Sequence, residues 1–475
     1  MSTSNRLVSI ACLIGQPLLL NAISIPALAY IIRQLGPLGY GQWMVAASLL
    51  ALTSFMANLG LRTLFVRAIA QHPEGAEEAL AEQMGLRLLL SLLAGCVGIA
   101  LCWGLGYSRI VCQCAVLAAI ALVFTTLACT LADVLQGLQR FKVYSSVNFV
   151  SGLLLTAASV IVIRCGAGPV GLSAAYLVGP MVNFVLFLCM VSRYLFPVRI
   201  RWNGPRYRAL LHNVRMLGMQ QLLSALQERV EQLLIPQLVG ISAFGYFAAG
   251  SMPASRLTVF PDGLATAFYP KIARSHAEEN QSHFSDVSRL LTLSLMVCLP
   301  LAVLVTFLAG PIAQVLFPKN PALCRQIIQI TIWSLPLLGM SMSMGYALQA
   351  VGKHAEAARA NMVAMVCNVA LSLVLIRHFG IVGACWAWIY RPLISIACLL
   401  PRFTNTFPAV LLYVPLARLL CCALLMSAIC MLTAELRSPT LGVTAIFGAA
   451  ALVGYGAALF LFRVIHAREL KRLFA

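Results

Sequence analysis

The chain has 475 residues, of which 61% are hydrophobic and only 10% are charged, and its mean hydropathy is +0.91. Because soluble domains carry about 25% charged residues, this composition excludes a soluble globular protein and indicates a membrane protein. The net charge of +19 could suit nucleic-acid binding, but the cations lie mainly in short connections between apolar segments, which is typical of membrane topology.

Apolar segments of about 20 residues, each long enough to cross a bilayer, follow one another along the whole chain. The first begins directly after "MSTSNR", and we interpret it as a retained helix rather than a cleaved signal peptide. We therefore predict an all-α polytopic membrane protein with 14 transmembrane helices. The predicted spans are 8–32, 43–66, 86–107, 110–132, 143–164, 168–192, 215–237, 244–268, 287–310, 327–350, 358–376, 380–400, 411–434 and 440–462.

The distribution of cations predicts the orientation of these helices. With the amino terminus inside, the cytoplasmic segments hold two-thirds of the 33 lysines and arginines. The predicted outside loops hold seven, namely Arg33, Arg109, Arg164, Lys319, Arg325, Arg377 and Arg437. Since cytoplasmic loops of membrane proteins are enriched in Lys and Arg, both termini are predicted to be cytoplasmic.

Three landmarks in the first half of the chain recur in the same order in the second half. The corner "RQLGPLGYGQW" (33–43) recurs as "LVGISAFGYF" (238–247), "LQGLQRFKVYSSVN" (135–148) as "LQAVGKHAEAARAN" (348–361), and "GPVGLSAAYLVGP" (168–180) as "GIVGACWAWIYRP" (380–392). The matched positions include Gly36/Gly240, Gly41/Gly245, Gln136/Gln349, Asn148/Asn361 and Gly168/Gly380. Collinear matches at offsets of 204 to 213 positions indicate that helices 1–6 are duplicated as helices 7–12.

The duplication predicts two six-helix lobes that enter the membrane in the same orientation. The first lobe would cover residues 1–192 and the second 215–400, with a basic cytoplasmic linker at 193–214 and two appended helices and a tail at 401–475. Parallel repeats of this kind place a substrate site between the halves in known transporters. The linker, "RYLFPVRIRWNGPRYR" within its range, is interpreted as an inter-lobe connection lying on anionic lipid.

Several segments together resemble a known family. They are "RQLGPLGYGQW" (33–43), "ANLGLRTLFVRAIAQ" (57–71) and "ERVEQLLIPQLVGISAFGYFAAGSMPASRL" (228–257). In order and spacing they are similar to the bacterial polysaccharide flippases, which export O-antigen and other lipid-linked oligosaccharides and belong to the multidrug/oligosaccharidyl-lipid/polysaccharide exporter superfamily.

The resemblance implies twelve to fourteen helices around a central cavity, in the bacterial cytoplasmic (inner) membrane. It also implies that an undecaprenyl-pyrophosphate-linked glycan is transferred to the outer leaflet, with a polysaccharide polymerase and a chain-length protein as candidate partners. No cofactor is expected, and coupling to H⁺ or Na⁺ stays open. Two positions depart from the family pattern: Asn58 stands where an aspartate is common, and Arg62 stands where a small neutral residue is usual. Both departures put ion coupling through helix 2 in doubt.

Once the cations assigned to the cytoplasmic segments and the outside loops are set aside, four arginines remain inside predicted spans, where ionisable side chains are costly and commonly functional. They are Arg62, Arg229, Arg256 and Arg391. Because an arginine fork binds phosphate oxygens bidentately, these residues are candidates for a cationic, pyrophosphate-binding cavity. The alternative is that each pairs with a nearby acid and is structural; for Arg229 the two interpretations are even.

Three acids are candidates for ion coupling, namely Glu228, Glu231 and Asp262. Glu228 and Glu231 are three residues apart and share a helix face, an arrangement that suits proton-coupled or cation-coupled transport. Glu231 also occupies the position where the resembled family carries an acid. The alternative is that Arg229 and a neighbouring helix neutralise the pair.

Missing motifs narrow the function further. The sequence contains no G-x-x-x-x-G-K-[ST] loop for ATP and no D-x-D or H-E-x-x-H metal motif, so neither a catalytic residue nor a metal ligand is predicted, and the protein is not expected to be an enzyme. An integral-membrane glycosyltransferase is the weaker alternative. A multidrug or cation antiporter of the same superfamily is the better one, although cationic drugs would favour a more acidic cavity.

Overall fold

The computed structural model describes residues 3–71, 73–138, 140–278, 282–408, 410, 414–434 and 441–461. Throughout these ranges the regular structure is helical, with one short 3₁₀ turn at Pro73–Gly75 and no strand. Parts of the last two predicted spans, at 411–413, 440 and 462, and the tail that follows them, predicted to be cytoplasmic, lie outside the described residues. The prediction of an all-α polytopic membrane protein is confirmed.

The helices of the first half run from the amino terminus to the end of the predicted linker and beyond. They are α1 (Thr3–Thr53), α2 (Phe55–Asn58), α3 (Leu61–Gln71), α4 (Ala76–Gly104), α5 (Arg109–Gly137), α6 (Phe141–Arg164), α7 (Gly168–Ala175), α8 (Val178–Tyr194) and α9 (Gly204–Leu238).

The helices of the second half continue in the same manner to residue 461. They are α10 (Ile241–Gly250), α11 (Met252–Leu257), α12 (Val259–Ala277), α13 (Ser282–Leu316), α14 (Pro321–Thr331), α15 (Ser334–Ala350), α16 (His354–Thr406), α17 (Leu416–Ala434) and α18 (Leu441–Leu461).

The predicted count of fourteen membrane helices agrees with this set of elements. Eight stretches of the described chain are long and apolar enough to cross a membrane, and two of them, within α1 and α16, each contain two rods joined at a glycine. With α9, the α10–α12 segment, α17 and α18, the described residues form fourteen rods. α9 and α10–α12 are not among these eight, and both carry charged residues, including Arg229, Glu231 and Arg256.

The glycines singled out by the repeat are corners of the backbone. Gly36 and Gly240 have φ of +66° and +118°, and their counterparts in the third landmark, Gly168 and Gly380, have φ of +64° and +58°. Only glycine adopts positive φ at little cost, so all four positions require it. The recurrence of the same conformation at matched positions agrees with the duplication inferred from the sequence.

The chain divides into two compact units, Met1–Gly245 and Tyr246–Ala475. The core of the first unit gathers residues of α3, α4, α5 and α8, such as Phe65, Leu80, Leu131 and Phe187. The core of the second unit joins α13, α15 and α16 to α17 and α18, and the hydroxyl of Tyr455 on α18 donates to the carbonyl of Met296 at 3.2 Å. Helix α9, the predicted first helix of the second lobe, falls within the first unit, and the lobe boundaries derived from the repeat stay a prediction.

The predicted linker is shorter than expected and is tied to the first unit. Residues 196–203 are non-helical, and α9 begins at Gly204. Arg201 pairs with Glu78 at 2.7 Å and Arg206 with Glu82 at 2.8 Å, and the backbone nitrogen of Arg201 donates to the carbonyl of Ala81 at 3.0 Å. These contacts join the basic segment to the first turns of α4.

Candidate functional site

A cluster of two arginines and one aspartate lies where α3, α4 and α5 meet in the first unit. Arg87 of α4 pairs with Asp133 of α5, with Nη1 at 3.0 Å from Oδ2, and also donates to the hydroxyl of Thr130 at 3.1 Å. Arg62 of α3 approaches the same carboxylate from the other side, with Nε at 3.0 Å from Oδ1, and donates to Gln136 at 3.2 Å. One carboxylate therefore serves two guanidinium groups.

The two arginines of this cluster differ in exposure. The side chains of Arg87 and Asp133 are 0% and 1% exposed, whereas that of Arg62 is 53% exposed. A fully buried charge is tolerated only when it is paired, so the Arg87–Asp133 pair is structural. Arg62 keeps part of its guanidinium accessible, and the cluster as a whole carries one net positive charge. The exposed part of the Arg62 guanidinium thus carries the excess positive charge and can contact a ligand.

A cavity of about 680 Å³ opens beside Arg62 within the first unit. It lies among α1, α5, α6 and α8, and its size is that of a small-molecule site. Charged, amide and hydroxyl groups and aromatic rings all contribute to its wall. The polar and aromatic lining residues are Arg62, Thr125, Asp133, Gln136, Tyr144, Asn148, Ser151, Tyr176, Asn183 and Phe187.

Helical periodicity explains why these residues face one space. On α6, Tyr144, Asn148 and Ser151 recur at intervals of four and three residues, which places them along one face. On α8, Asn183 and Phe187 are four residues apart and share a face, about 6 Å from each other along the helix. Tyr176, in the turn that precedes α8, lines the same cavity.

The predicted charged residues of helix 7 lie on α9, also in the first unit. Arg229 donates to Gln232 at 2.7 Å, and the hydroxyl of Ser48 on α1 donates to the same Gln232 oxygen at 2.9 Å. Glu231 is fully buried and Glu228 is exposed, so the two carboxylates experience different surroundings. Their roles in ion coupling stay predictions.

The remaining candidates lie in the second unit. Arg391 of α16 places its guanidinium 5.4 Å from the ring centroid of Trp388, and Trp388 in turn meets Phe247 edge-on at 5.7 Å. Asp262 accepts a hydrogen bond from the hydroxyl of Tyr346 at 3.1 Å, and Arg256 is exposed. The first unit thus brings Arg62 to a cavity, while Arg391 and Asp262 each have an aromatic neighbour.

Reasoning from the sequence missed Arg87, Asn148 and Asn183. Arg87 stands at the start of the predicted span 86–107 and is not among the candidate residues, but it lies inside α4 and is completely buried. The signal that could have found it is Asp133, because a carboxylate near a span needs a cation on an adjacent helix. The position of Asn148 and Asn183 on a cavity wall has no signature in the local sequence, although Asn148 is a matched position of the repeat.

Comparisons with known proteins place the chain among proteins of glycan export. Residues 28–326, well over half of the chain, match the family described as "Polysaccharide biosynthesis protein". The "Putative O-antigen transporter" of Shigella flexneri is 22% identical over 396 residues, covering 78% of this chain and 91% of that protein. The "Probable low-salt glycan biosynthesis flippase Agl15" of Haloferax volcanii is 21% identical over 359 residues, covering 75% of each chain.

A solved structure shares the fold. The inward closed conformation of the lipid II flippase MurJ superposes with a TM-score of 0.74 at 14% identity, covering 94% of this chain and all of that one. Identity this low establishes the fold alone. The names of the relatives confirm the prediction of a transporter rather than an enzyme.

Proposed function

Because the chain belongs to the family of polysaccharide biosynthesis proteins, we propose that it moves a lipid-linked oligosaccharide across the bacterial cytoplasmic membrane. The substrate is a glycan unit on undecaprenyl pyrophosphate, carried from the inner to the outer leaflet by alternating access. Both termini are cytoplasmic, in accord with the bias of Lys and Arg along the sequence. The relatives named as O-antigen transporter and glycan biosynthesis flippase support this function.

The observation that carries the proposal is the half-exposed Arg62 at a mainly apolar cavity whose wall also carries amide and hydroxyl groups. A lipid-linked glycan has two kinds of group that lose their hydrating water during transfer. They are the charged pyrophosphate and the sugar hydroxyls. Guanidinium binds phosphate oxygens through paired, charge-assisted hydrogen bonds, and amides and hydroxyls replace the water around a sugar. Asp133 occupies one side of the guanidinium, so phosphate binds at its exposed edge.

The other arginines are further candidate contacts for the phosphate. Arg256 is exposed, Arg391 lies over the Trp388 ring and Arg229 bonds to Gln232; each contributes a moderate contact, because a phosphate held too tightly would not be released. Glu231, buried on α9, is the first candidate for coupling transport to H⁺ or Na⁺, ahead of Glu228 and Asp262, which are both exposed.

Deletion of the gene in its own organism tests this function. We expect loss of a surface glycan and accumulation of a lipid-linked oligosaccharide in the inner leaflet, both reversed by the wild-type gene. An unchanged surface glycan without accumulation would overturn the proposal. Increased sensitivity to cationic dyes with a normal surface glycan would favour a multidrug antiporter instead.

A further inference from the structure

We infer that the cavity of the first unit binds the phosphate-proximal sugar of the carried lipid, with Arg62 holding the phosphate and Asn183 and Asn148 recognising the sugar. This inference rests on the proposed function and makes it specific. It assigns sugar recognition to residues of α6 and α8, to which the sequence analysis gave no binding role.

The amide of Asn183 provides the first argument. Its Oδ1 atom is buried and accepts no hydrogen bond from any described residue, and the residue lines the cavity. A buried acceptor that receives no hydrogen bond lowers the stability of the folded protein by about 1–3 kcal/mol. Native structures therefore rarely contain one, unless a water molecule or a ligand supplies the donor. A sugar hydroxyl is a donor of suitable size.

Asn148 lies on the facing helix and presents a second amide. Its Nδ2 donates to the carbonyl of Tyr144 at 2.9 Å, which orients the side chain and uses one of its two N–H donors. The second donor and the Oδ1 acceptor are left for the cavity. Two oriented amides on separate helices can together recognise a hydroxyl or an acetamido group of a pyranose.

Aromatic rings enclose the same space and restrict its shape. Tyr144 stacks on Phe187 with centroids 6.2 Å apart, and Tyr176 meets Trp43 edge-on at 5.6 Å; Tyr144, Phe187 and Tyr176 line the cavity. Binding sites for small ligands combine such aromatic walls with a few oriented polar groups. The apolar face of a sugar ring fits against these walls while its hydroxyls reach the amides.

Charge and size limit what the cavity accepts. The Arg62–Arg87–Asp133 cluster has one positive charge in excess, which favours an anionic ligand at that end. A volume of about 680 Å³ accommodates a small ligand and excludes a complete oligosaccharide unit. The ligand class is therefore a phosphosugar, and the distal sugars extend out of the cavity.

Binding by the purified full-length protein tests the assignment. The probes are undecaprenyl pyrophosphate carrying one N-acetylglucosamine and undecaprenyl pyrophosphate without sugar, with affinities measured by native mass spectrometry. Wild-type protein should bind the sugar-bearing lipid about tenfold more tightly, the size of one or two hydrogen bonds to buried polar groups. Asn183→Leu should remove this preference and keep the affinity for the sugar-free lipid. Arg62→Gln should weaken both lipids about equally.

Two matched variants control for damage to the protein. Gln237→Leu removes an exposed amide of α9 that bonds to the carbonyl of Leu105, away from the cavity. Arg201→Gln removes an exposed arginine of the linker. Both should retain the wild-type preference and affinity. The melting temperature of each variant is measured, and affinities are compared only between variants that melt at the same temperature as wild type. Asn148→Leu removes the second amide and tests the site independently.

The possible outcomes separate this inference from the proposed function. Equal binding of the two lipids by wild type, or an unchanged preference in both Asn183→Leu and Asn148→Leu, would overturn the sugar site; a water molecule would then account for the buried oxygen. Gene deletion would still decide whether the protein is a flippase. Loss of the preference in Asn183→Leu with intact controls supports the site.

Discussion

Gly41 of α1 and Gly245 of α10 approach each other so closely that neither position can accept a side chain. A Cβ on Gly41 would overlap with the carbonyl oxygen of Ile241, and a Cβ on Gly245 would overlap with that of Pro37; each would lie 3.1 Å from the backbone nitrogen of the other glycine. The contact is reciprocal, because Pro37 and Ile241 are separated by the same 204 positions as Gly41 and Gly245. The two copies of the repeated corner thus pack against each other as a pseudo-symmetric pair.

This contact predicts that Gly41→Ala lowers stability. The obstacle to the new methyl group is backbone, which cannot move aside like a side chain, so we expect a loss of about 1–3 kcal/mol and a lower melting temperature of the purified protein. Gly104→Ala is the control, since a Cβ there meets nothing within 4 Å. Equal melting temperatures for Gly41→Ala and Gly104→Ala would contradict the close approach.

Asp133→Asn should be more damaging than any change at Arg62. The substitution leaves the fully buried Arg87 without its counter-charge, and breaking a buried ion pair from one side costs about 3–5 kcal/mol. We expect a strong decrease in the amount of protein in the membrane. Arg62→Gln should leave that amount nearly unchanged, because the side chain is half exposed.

A double replacement checks this explanation of Asp133. In Asp133→Leu/Arg87→Met both buried charges are removed together, and membrane levels should recover relative to Asp133→Asn. If Asp133→Asn alone accumulates like wild type, Asp133 does not hold Arg87 in the manner described.

The two ion pairs of the linker should differ in how much they stabilise the folded protein. The Arg201–Glu78 pair is exposed on both sides, 60% for each side chain, and pairs of this kind contribute about 0–1 kcal/mol. The carboxylate of Glu82 is only 4% exposed. Arg206→Gln, which leaves Glu82 buried without its cation, should therefore lower the melting temperature clearly, whereas Arg201→Gln should not. A reversed order would contradict the assignment.

Arg391 is predicted to be needed for transport. Arg391→Ala should abolish surface glycan while the protein stays inserted and abundant, and Arg391→Lys should restore it only in part, because lysine keeps the charge but loses the bidentate fork. Glycan display is measured in the deletion strain and normalised to membrane protein level. Arg402→Ala is the control, since Arg402 bonds to the carbonyl of Cys398 near the end of α16. Wild-type display by Arg391→Ala would make Arg391 structural.

The topology predicted from the cations is tested with reporter fusions. A reporter placed after Lys319, between α13 and α14, should be outside the cell, and one placed after Arg201, in the linker, should be inside. The excess of Lys and Arg in the cytoplasmic segments is the physical basis. A fusion after Arg201 that reports outside would reverse the assigned orientation.

The sequence by itself determined the number of membrane helices and the positions of the repeated corners. A membrane-spanning segment must satisfy its backbone hydrogen bonds internally, so a run of apolar residues becomes a helix whatever its neighbours are. The requirement for glycine at positions 36 and 240 is equally local, because their positive φ angles are costly for most other residues. These features could be read from residues close together in the chain, and the structure agrees with them.

Only the tertiary structure decided which charges meet. Arg62, Arg87 and Asp133 come from three helices, and their pairing depends on how those helices pack and rotate, which hydropathy does not encode. The sequence predicted Arg62 as a cavity residue without its counter-ion and did not single out Arg87, at the start of a predicted span, as its neighbour. The cavity among α1, α5, α6 and α8 is likewise a property of the space between helices, because Asn148 and Asn183 gain a common environment only when α6 and α8 pack side by side.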